Sequence, residues 1–253
     1  MNSNDCKWLN LPSLSMPVKV LFTGYLLAVG LGLAMAGLQI ILTHGMADGK
    51  LGLSVDDIVY SYYGDRGNSK LEAKLNGSMK NNAADEIRAE IIQWTRDGAS
   101  EDVWNNHMSE IFDVNCNNCH AHIDTIPAFN DYATVKELAK TDEGVSINAL
   151  TRVSHIHLFG IGFIFFFIGF IFSFSVGVPR TLKMVAIAAP FAFLILDIFS
   201  WWVTKWVPGF AWFTIIGGVG YSLASTFMWF TSMYQMWIIP MRGDKYEVNA
   251  WME

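Results

Sequence analysis

Four stretches of this chain are too long and too nearly free of charge for a soluble domain of its size. They run over residues 18–43, 154–178, 184–204 and 210–239. Each has at least the ~20 residues that carry a helix across the hydrocarbon core of a bilayer. The chain as a whole is 52% hydrophobic and 14% aromatic, with ten Trp, more than a soluble domain needs. Four transmembrane helices are therefore expected. The first is too long for the apolar core of a signal peptide, and no Ala-x-Ala site closes it, so it is expected to stay as an anchor. Cys6 has no apolar stretch ahead of it and reads as a bystander thiol rather than a lipid attachment point.

Basic residues in the short loops orient the helices. Lys7 and Lys19 stand at the first, Arg180 and Lys183 between the second and third, and Arg242 and Lys245 after the fourth. The connection between the third and fourth has only Lys205. The positive-inside rule then places residues 1–17, the 179–183 turn and residues 240–253 in the cytoplasm, and residues 44–153 outside.

That outer insert holds 18 Asp and Glu against 10 Lys and Arg, a balance of −8 that the whole-chain value of −6 conceals. It suits a solvated face, and equally a docking surface for a basic redox partner. Its punctuation is helical. Ser54 with Asp57 forms a capping-box pattern ahead of a helix that Gly64 closes, and a short helix over residues 69–76 ends at Gly77. Asn82 is expected to start a longer helix with Ile87, Ile91 and Trp94 on one face, and Ser100 to cap the next. Ser146 is expected to cap a helix that runs unbroken into the second span. No alternating β-branched run argues for a sheet.

The insert also contains the chain's most specific motif, Cys116-Asn117-Asn118-Cys119-His120. Two thiols three positions apart can each bond one vinyl group of a porphyrin, and the adjacent imidazole can then ligate the iron. Chance would produce the motif in about one such chain in a thousand. Zinc fits less well, because no second Cys or His pair lies at ligand spacing. One covalently attached haem c is the expected cofactor, with Cys116 and Cys119 as thioether positions and His120 as proximal ligand. Attachment needs an oxidising compartment, which agrees with the outward placement of the insert. For the distal ligand the insert offers Met46, Met79, His107, Met108 and His122. Met79, in the turn after Asn76-Gly77-Ser78, is preferred, and His155 or His157 are the alternatives.

A second cluster lies in the outer leaflet. His44 ends the first span, His155 and His157 begin the second, and Asp197 lies in the third, about 12 Å below the boundary. An ionisable group at such depth faces a partner or a cavity. A second metal site on these four residues is one reading. A hydrogen-bonded network of Asp197 with an imidazole or a Trp N–H is the other. Positions 155 and 157 are separated by about 200° on a regular helix, so both cannot face one ion. By spacing, His155 shares the side of Gly162, Gly169 and Ser173, which is taken as the bundle side. Trp201, Trp202, Trp206 and Trp212 are expected as interfacial anchors. Gly30, Ala34 and Gly37, with Gly217, Gly218, Gly220 and Ala224, are expected to mark helix-packing faces.

Gly52-Leu-Ser-Val-Asp-Asp-Ile-Val, Cys116–His120 and Ser154-His-Ile-His-Leu-Phe-Gly together resemble a group of bacterial membrane-anchored monohaem c-type cytochromes. The resemblance covers the chain from the first helix through the fourth. It implies an all-α inner-membrane protein with a periplasmic haem c domain over residues 44–153 and both termini cytoplasmic. The expected function is a one-electron relay. The alternatives are a haem-bearing subunit of a membrane oxidoreductase with a second metal or quinone site, or a haem-based sensor. Expected partners are the bilayer and a basic soluble cytochrome or other redox protein, within a membrane complex or homo-oligomer; no nucleic acid is expected.

Overall fold

The computed structural model describes residues 8–45, 52–123, 126–244 and 246–252, together with all side chains in those ranges except Thr43 and His44. Cys6, Met46 and Lys245 lie outside the described residues. The chain divides into two compact units, one formed by Met1–Leu38, Ile147–Trp202 and Phe210–Glu253, the other by Gln39–Ser146 and Val203–Gly209. Among the described residues the only β pairing is one isolated bridge between Ser69 and Thr141.

The first unit holds the long apolar helices. They are α1 (Met16–His44), α9 (Ile147–Ser173), α10 (Arg180–Thr204) and α11 (Ala211–Met233). A π-helical turn, Tyr234–Ile238, and α12 (Ile239–Met241) prolong α11. All four are long and apolar enough to cross a membrane. α9 begins at Ile147, so its first turns join the second span without a break, as the Ser146 pattern led one to expect.

The span ends differ from the hydropathy limits. The second span stops at Ser173 rather than 178, because the chain must turn there. Gly177 takes a positive φ of 70°, and Pro179 disfavours helix at the residue before it. The Gln235 amide occupies the freed backbone, accepting from Val176 N–H at 2.9 Å and donating to Val176 C=O at 2.8 Å. α10 accordingly starts at Arg180 rather than 184. α1 extends one to two residues beyond the expected 18–43, and the fourth span runs past 239 through its π-helical turn to Met241.

α10 and α11 approach closely at two glycines. A Cβ on Gly217 would stand 2.7 Å from Asp197 Cβ, and one on Gly220 would stand 2.5 Å from the Phe193 ring. Gly30 meets Trp229, whose indole N–H donates to Leu26 C=O at 2.8 Å. Gly37 has nothing within 4 Å of such a Cβ and Ala34 is exposed, so these two do not mark packing within the described chain. The two ends of the chain meet at one end of this unit. Asn10 is fully buried and donates to Tyr246 C=O and Val248 C=O, Ala250 N–H donates to Leu9 C=O, and Leu11 N–H donates to Phe174 C=O.

The second unit contains α2 (Val55–Tyr62), α3 (Lys70–Asn76), α4 (Asp85–Arg96) and α5 (Glu101–Val103). α5 passes through a π-helical turn, Trp104–Met108, into α6 (Ser109–Asn115); α7 (Asn117–His120) and α8 (Tyr132–Leu138) follow. Ser54 and Asp57 form the reciprocal capping box and Ser100 caps its helix, both as read; Ser69 also caps α3. α4 starts three residues later than expected, at Asp85, because residues 80–82 are drawn into the turn that closes α3. Gly64 is required for closure. Its φ is +86°, and a Cβ there would meet Asp142 C=O and Gly144 N at 2.3 Å.

The core of this unit packs Leu71, Leu75, Ile91, Trp94, Trp104, Met108, Ile111, Phe112, Phe129 and Val135, contributed by α3, α4, the π-helical turn, α6, the α7–α8 connection and α8. Burying these side chains, at about 25 cal/mol per Å² of apolar surface, is what the small unit has to set against chain entropy. Glu72, almost fully buried, is satisfied by the Arg96 guanidinium, a pairing across α3 and α4. Lys205 is buried as well. Its ammonium donates to the carbonyls of Glu143 and Val145, and Arg66 donates to its backbone carbonyl.

Candidate functional site

The Cys-x-x-Cys-His motif sits where α6 breaks into α7. Cys116 has φ −117°, ψ −43°, so the helix axis turns there. Its carbonyl accepts the N–H of both Cys119 and His120, at 3.1 and 3.0 Å, which holds the three motif residues on one turn. Neither cysteine is in a disulfide. Cys119 is exposed, while Cys116 is half-buried against the core of the unit. Burial pushes the Cys116 thiol up to about 11, because a thiolate loses its hydration there.

His120 is fixed from two sides. Its Nδ1–H donates to Pro127 C=O at 2.8 Å, and its ring stacks on Phe129 at 4.3 Å. A carbonyl can only accept, so a proton is on Nδ1, and Nε2 is the ring nitrogen left for a further partner. No described residue hydrogen-bonds Nε2. Asn117, the first residue between the cysteines, secures this arrangement. It is buried, and its Oδ1 accepts from Phe129 N–H at 3.2 Å, tying the segment that contributes both Pro127 and Phe129. No local spacing singles out Asn117, Pro127 or Phe129, since their roles depend on contacts seven and twelve positions apart.

This donor set fits a covalently held haem. Two thiols lie on one turn, and the adjacent imidazole has its second nitrogen hydrogen-bonded outward, as second-shell control of a metal ligand requires. Among the described residues no three His, Cys, Asp or Glu side chains come together at a distance that could hold one ion.

Met79 follows α3 in the expected turn and is partly buried against the core; the Asn82 amide lies 3.9 Å from its sulfur. His107 hydrogen-bonds Glu90 at 2.5 Å, and Met108 is buried in the core. His122 is exposed, and Met46 lies outside the described residues.

The described side chains of the second cluster, those of His155, His157 and Asp197, are not gathered into one group. Asp197 is 4% exposed and accepts from Trp201 Nε1–H at 2.8 Å. Tyr221 is its second hydrogen-bond partner. His157 Nδ1–H donates to Val153 C=O at 2.9 Å, and its ring meets Trp201 edge to face at 5.2 Å. His155 is exposed and meets Phe159, and the side chain of His44 lies outside what is described. The bundle side of α9 is therefore that of Ser154, His157, Phe165 and Ile168, which reverses the expected assignment of His155. Gly169 of the expected stripe is buried on that side as well, but His155 is not, because the bulk of Phe165, Ile168 and Phe172 sets the buried face. One of the four expected interfacial Trp, Trp201, is also corrected. Trp201 is buried on Asp197 and Trp202 donates to Ser154 Oγ at 3.0 Å, whereas Trp206 and Trp212 are exposed.

Fold and sequence together define an all-helical membrane protein with four apolar helices. Residues 124–244 match the profile of a family described as a transmembrane helical domain. No curated protein and no solved structure matches the chain.

Proposed function

We propose that this chain is a membrane-anchored c-type cytochrome that relays single electrons at the periplasmic face of a bacterial inner membrane. The observation that carries the reading is the setting of His120. Its Nδ1–H is committed to Pro127 C=O while two free thiols flank it on the same turn. That arrangement is what a proximal haem ligand needs and what an ordinary surface histidine does not. Haem c, when attached, supplies a one-electron couple. The chain supplies its attachment points at Cys116 and Cys119 and its axial ligand at His120. The Pro127 hydrogen bond raises the electron density of that ligand and so lowers the reduction potential. Met79 is proposed as the distal ligand.

The test is chemical. Protein isolated from membranes of cells that mature c-type cytochromes should give a haem-stained band near 28.4 kDa on a denaturing gel. Haem that extracts into acidified acetone, or none at all, overturns the proposal. A second reading, a subunit with a further redox or quinone site in the membrane, is favoured by one observation, the carboxylate of Asp197 buried in α10. Both readings predict haem, and they separate on metal content. One iron per chain supports the relay; additional copper, iron or zinc lost in Asp197→Asn supports the second site.

A further inference from the structure

Buried aromatic rings form an unbroken ladder leading away from His120. His120 stacks on Phe129 at 4.3 Å, Phe129 meets Phe112 at 5.3 Å, and Phe112 meets Trp104 at 5.4 Å. Trp104 lies 6.0 Å from Trp94, which also meets Phe112 directly at 6.2 Å. Among the described rings, Phe112 is the one through which each of these routes passes. At its far end, Trp94 lines an open groove of about 310 Å³ together with Glu90, Asp97, Val103 and His107.

Clustered aromatics are common in small cores, and two carboxylates alone are an ordinary solvated face. Two further features set this region apart. The π-helical turn Trp104–Met108 inserts an extra residue per turn at the cost of regular hydrogen bonds, and such turns concentrate at functional sites. Here it places Trp104 inside the ladder and His107 at the groove, where it meets Glu90. The groove is also amphipathic, with Trp94, Met108 and the exposed Val103 for an aliphatic stem and Glu90 and Asp97 for a cation. A lysine side chain has that form. The surrounding insert, at −8, draws a basic partner over longer range.

We propose that this groove docks a soluble, lysine-rich one-electron carrier protein, and that Phe129, Phe112, Trp104 and Trp94 couple the carrier to His120. The inference rests on the relay reading above. One electron leaves the reduced site at His120 and reduces the oxidised carrier. No bond forms or breaks, no proton accompanies the transfer, and no radical need form on the rings.

The experiment uses the full haem-loaded chain in detergent, with a lysine-rich soluble cytochrome c as probe. Affinity is measured by calorimetry over a range of salt, and transfer within the complex by flash photolysis. Glu90→Gln with Asp97→Asn should weaken binding about tenfold and flatten its salt dependence. Glu110→Gln with Asp113→Asn, next to the haem turn, should leave both unchanged. Phe112→Leu should slow transfer severalfold at saturating probe without altering affinity, and Phe112→Tyr should restore the rate. Trp94→Leu, which removes the last ring, serves if Phe112→Leu does not fold. Affinity that depends on the second acidic pair would place docking over the exposed Cys119 turn and overturn the inference. An undiminished rate in both leucine variants overturns the ladder. A chain that carries no covalent haem fails the relay reading instead, and the calorimetric comparison of the two acidic pairs still decides where a basic protein docks.

Discussion

His120 is held more firmly than the two thiols that flank it, and the thiols differ from each other in a way that can be measured. Cys119 is exposed, whereas Cys116 is half-buried with its acidity suppressed to about 11. The thiolate is the reactive species, so in the haem-free protein iodoacetamide should alkylate Cys119 well before Cys116. The sign of the pH dependence follows from the cause. Burial favours the neutral thiol, so Cys116 labelling should stay slow through neutrality and rise only as the pH approaches its raised value. Mass spectrometry of the two peptides against time would show this; equal rates would contradict the burial of Cys116. Met79 gives a second expectation at this scale. Met79→Ala should retain covalent haem but lose the sulfur-to-iron charge-transfer band of the oxidised protein. Persistence of that band would move the distal position to another Met, and its absence from the native oxidised protein would move it to His155 or His157.

Helix–helix contacts in the membrane unit rest on a few places where a side chain would not fit. A Cβ on Gly217 would meet Asp197 at its Cβ and at its backbone, 2.7 and 2.9 Å away, so no rotamer change can relieve the contact. Gly217→Ala should therefore force α10 and α11 apart and cost about 1–3 kcal/mol, read as a lower melting temperature in detergent. Gly24 has nothing within 4 Å of such a Cβ, and Gly24→Ala should be neutral or gain up to about 1 kcal/mol from helix propensity. Equal losses in both variants would show that the α10–α11 contact is not the determinant. Periodicity could nominate Gly30, Gly37, Gly217 and Gly220 as packing residues but could not rank them. Only the neighbouring helix decides which glycines are approached.

At the scale of the whole molecule, the two chain ends are brought together through Asn10, Tyr246, Val248 and Ala250, at one end of the membrane unit. An even number of spans returns the chain to the side from which it started, so this contact accords with four crossings. With the basic residues inside, a protease-cleavable tag placed in the turn after α3 should be cut in intact spheroplasts, and one after Met252 should survive until the membrane is opened. The opposite pattern would invert the orientation and remove the oxidising compartment from the haem motif.

Hydropathy alone determined that this chain has four apolar helices, because a bilayer admits few other solutions for runs of that length. Local chemistry likewise determined the caps at Ser54 and Ser100 and the Cys-x-x-Cys-His turn, since each depends on residues within five positions. The tertiary structure decided the rest. It turned His157 rather than His155 toward the bundle, through the bulk of Phe165, Ile168 and Phe172. It drew Trp201 off the expected interface onto Asp197, and ended the second span early against Gln235. It also supplied the Pro127 carbonyl, the Phe129 ring and the Asn117 tie that hold His120. The Trp201–Asp197 bond is an i,i+4 contact within α10, one of the readings open from the sequence; the others join residues seven to 59 positions apart, and no local spacing rule encodes which distant atom will satisfy a given donor.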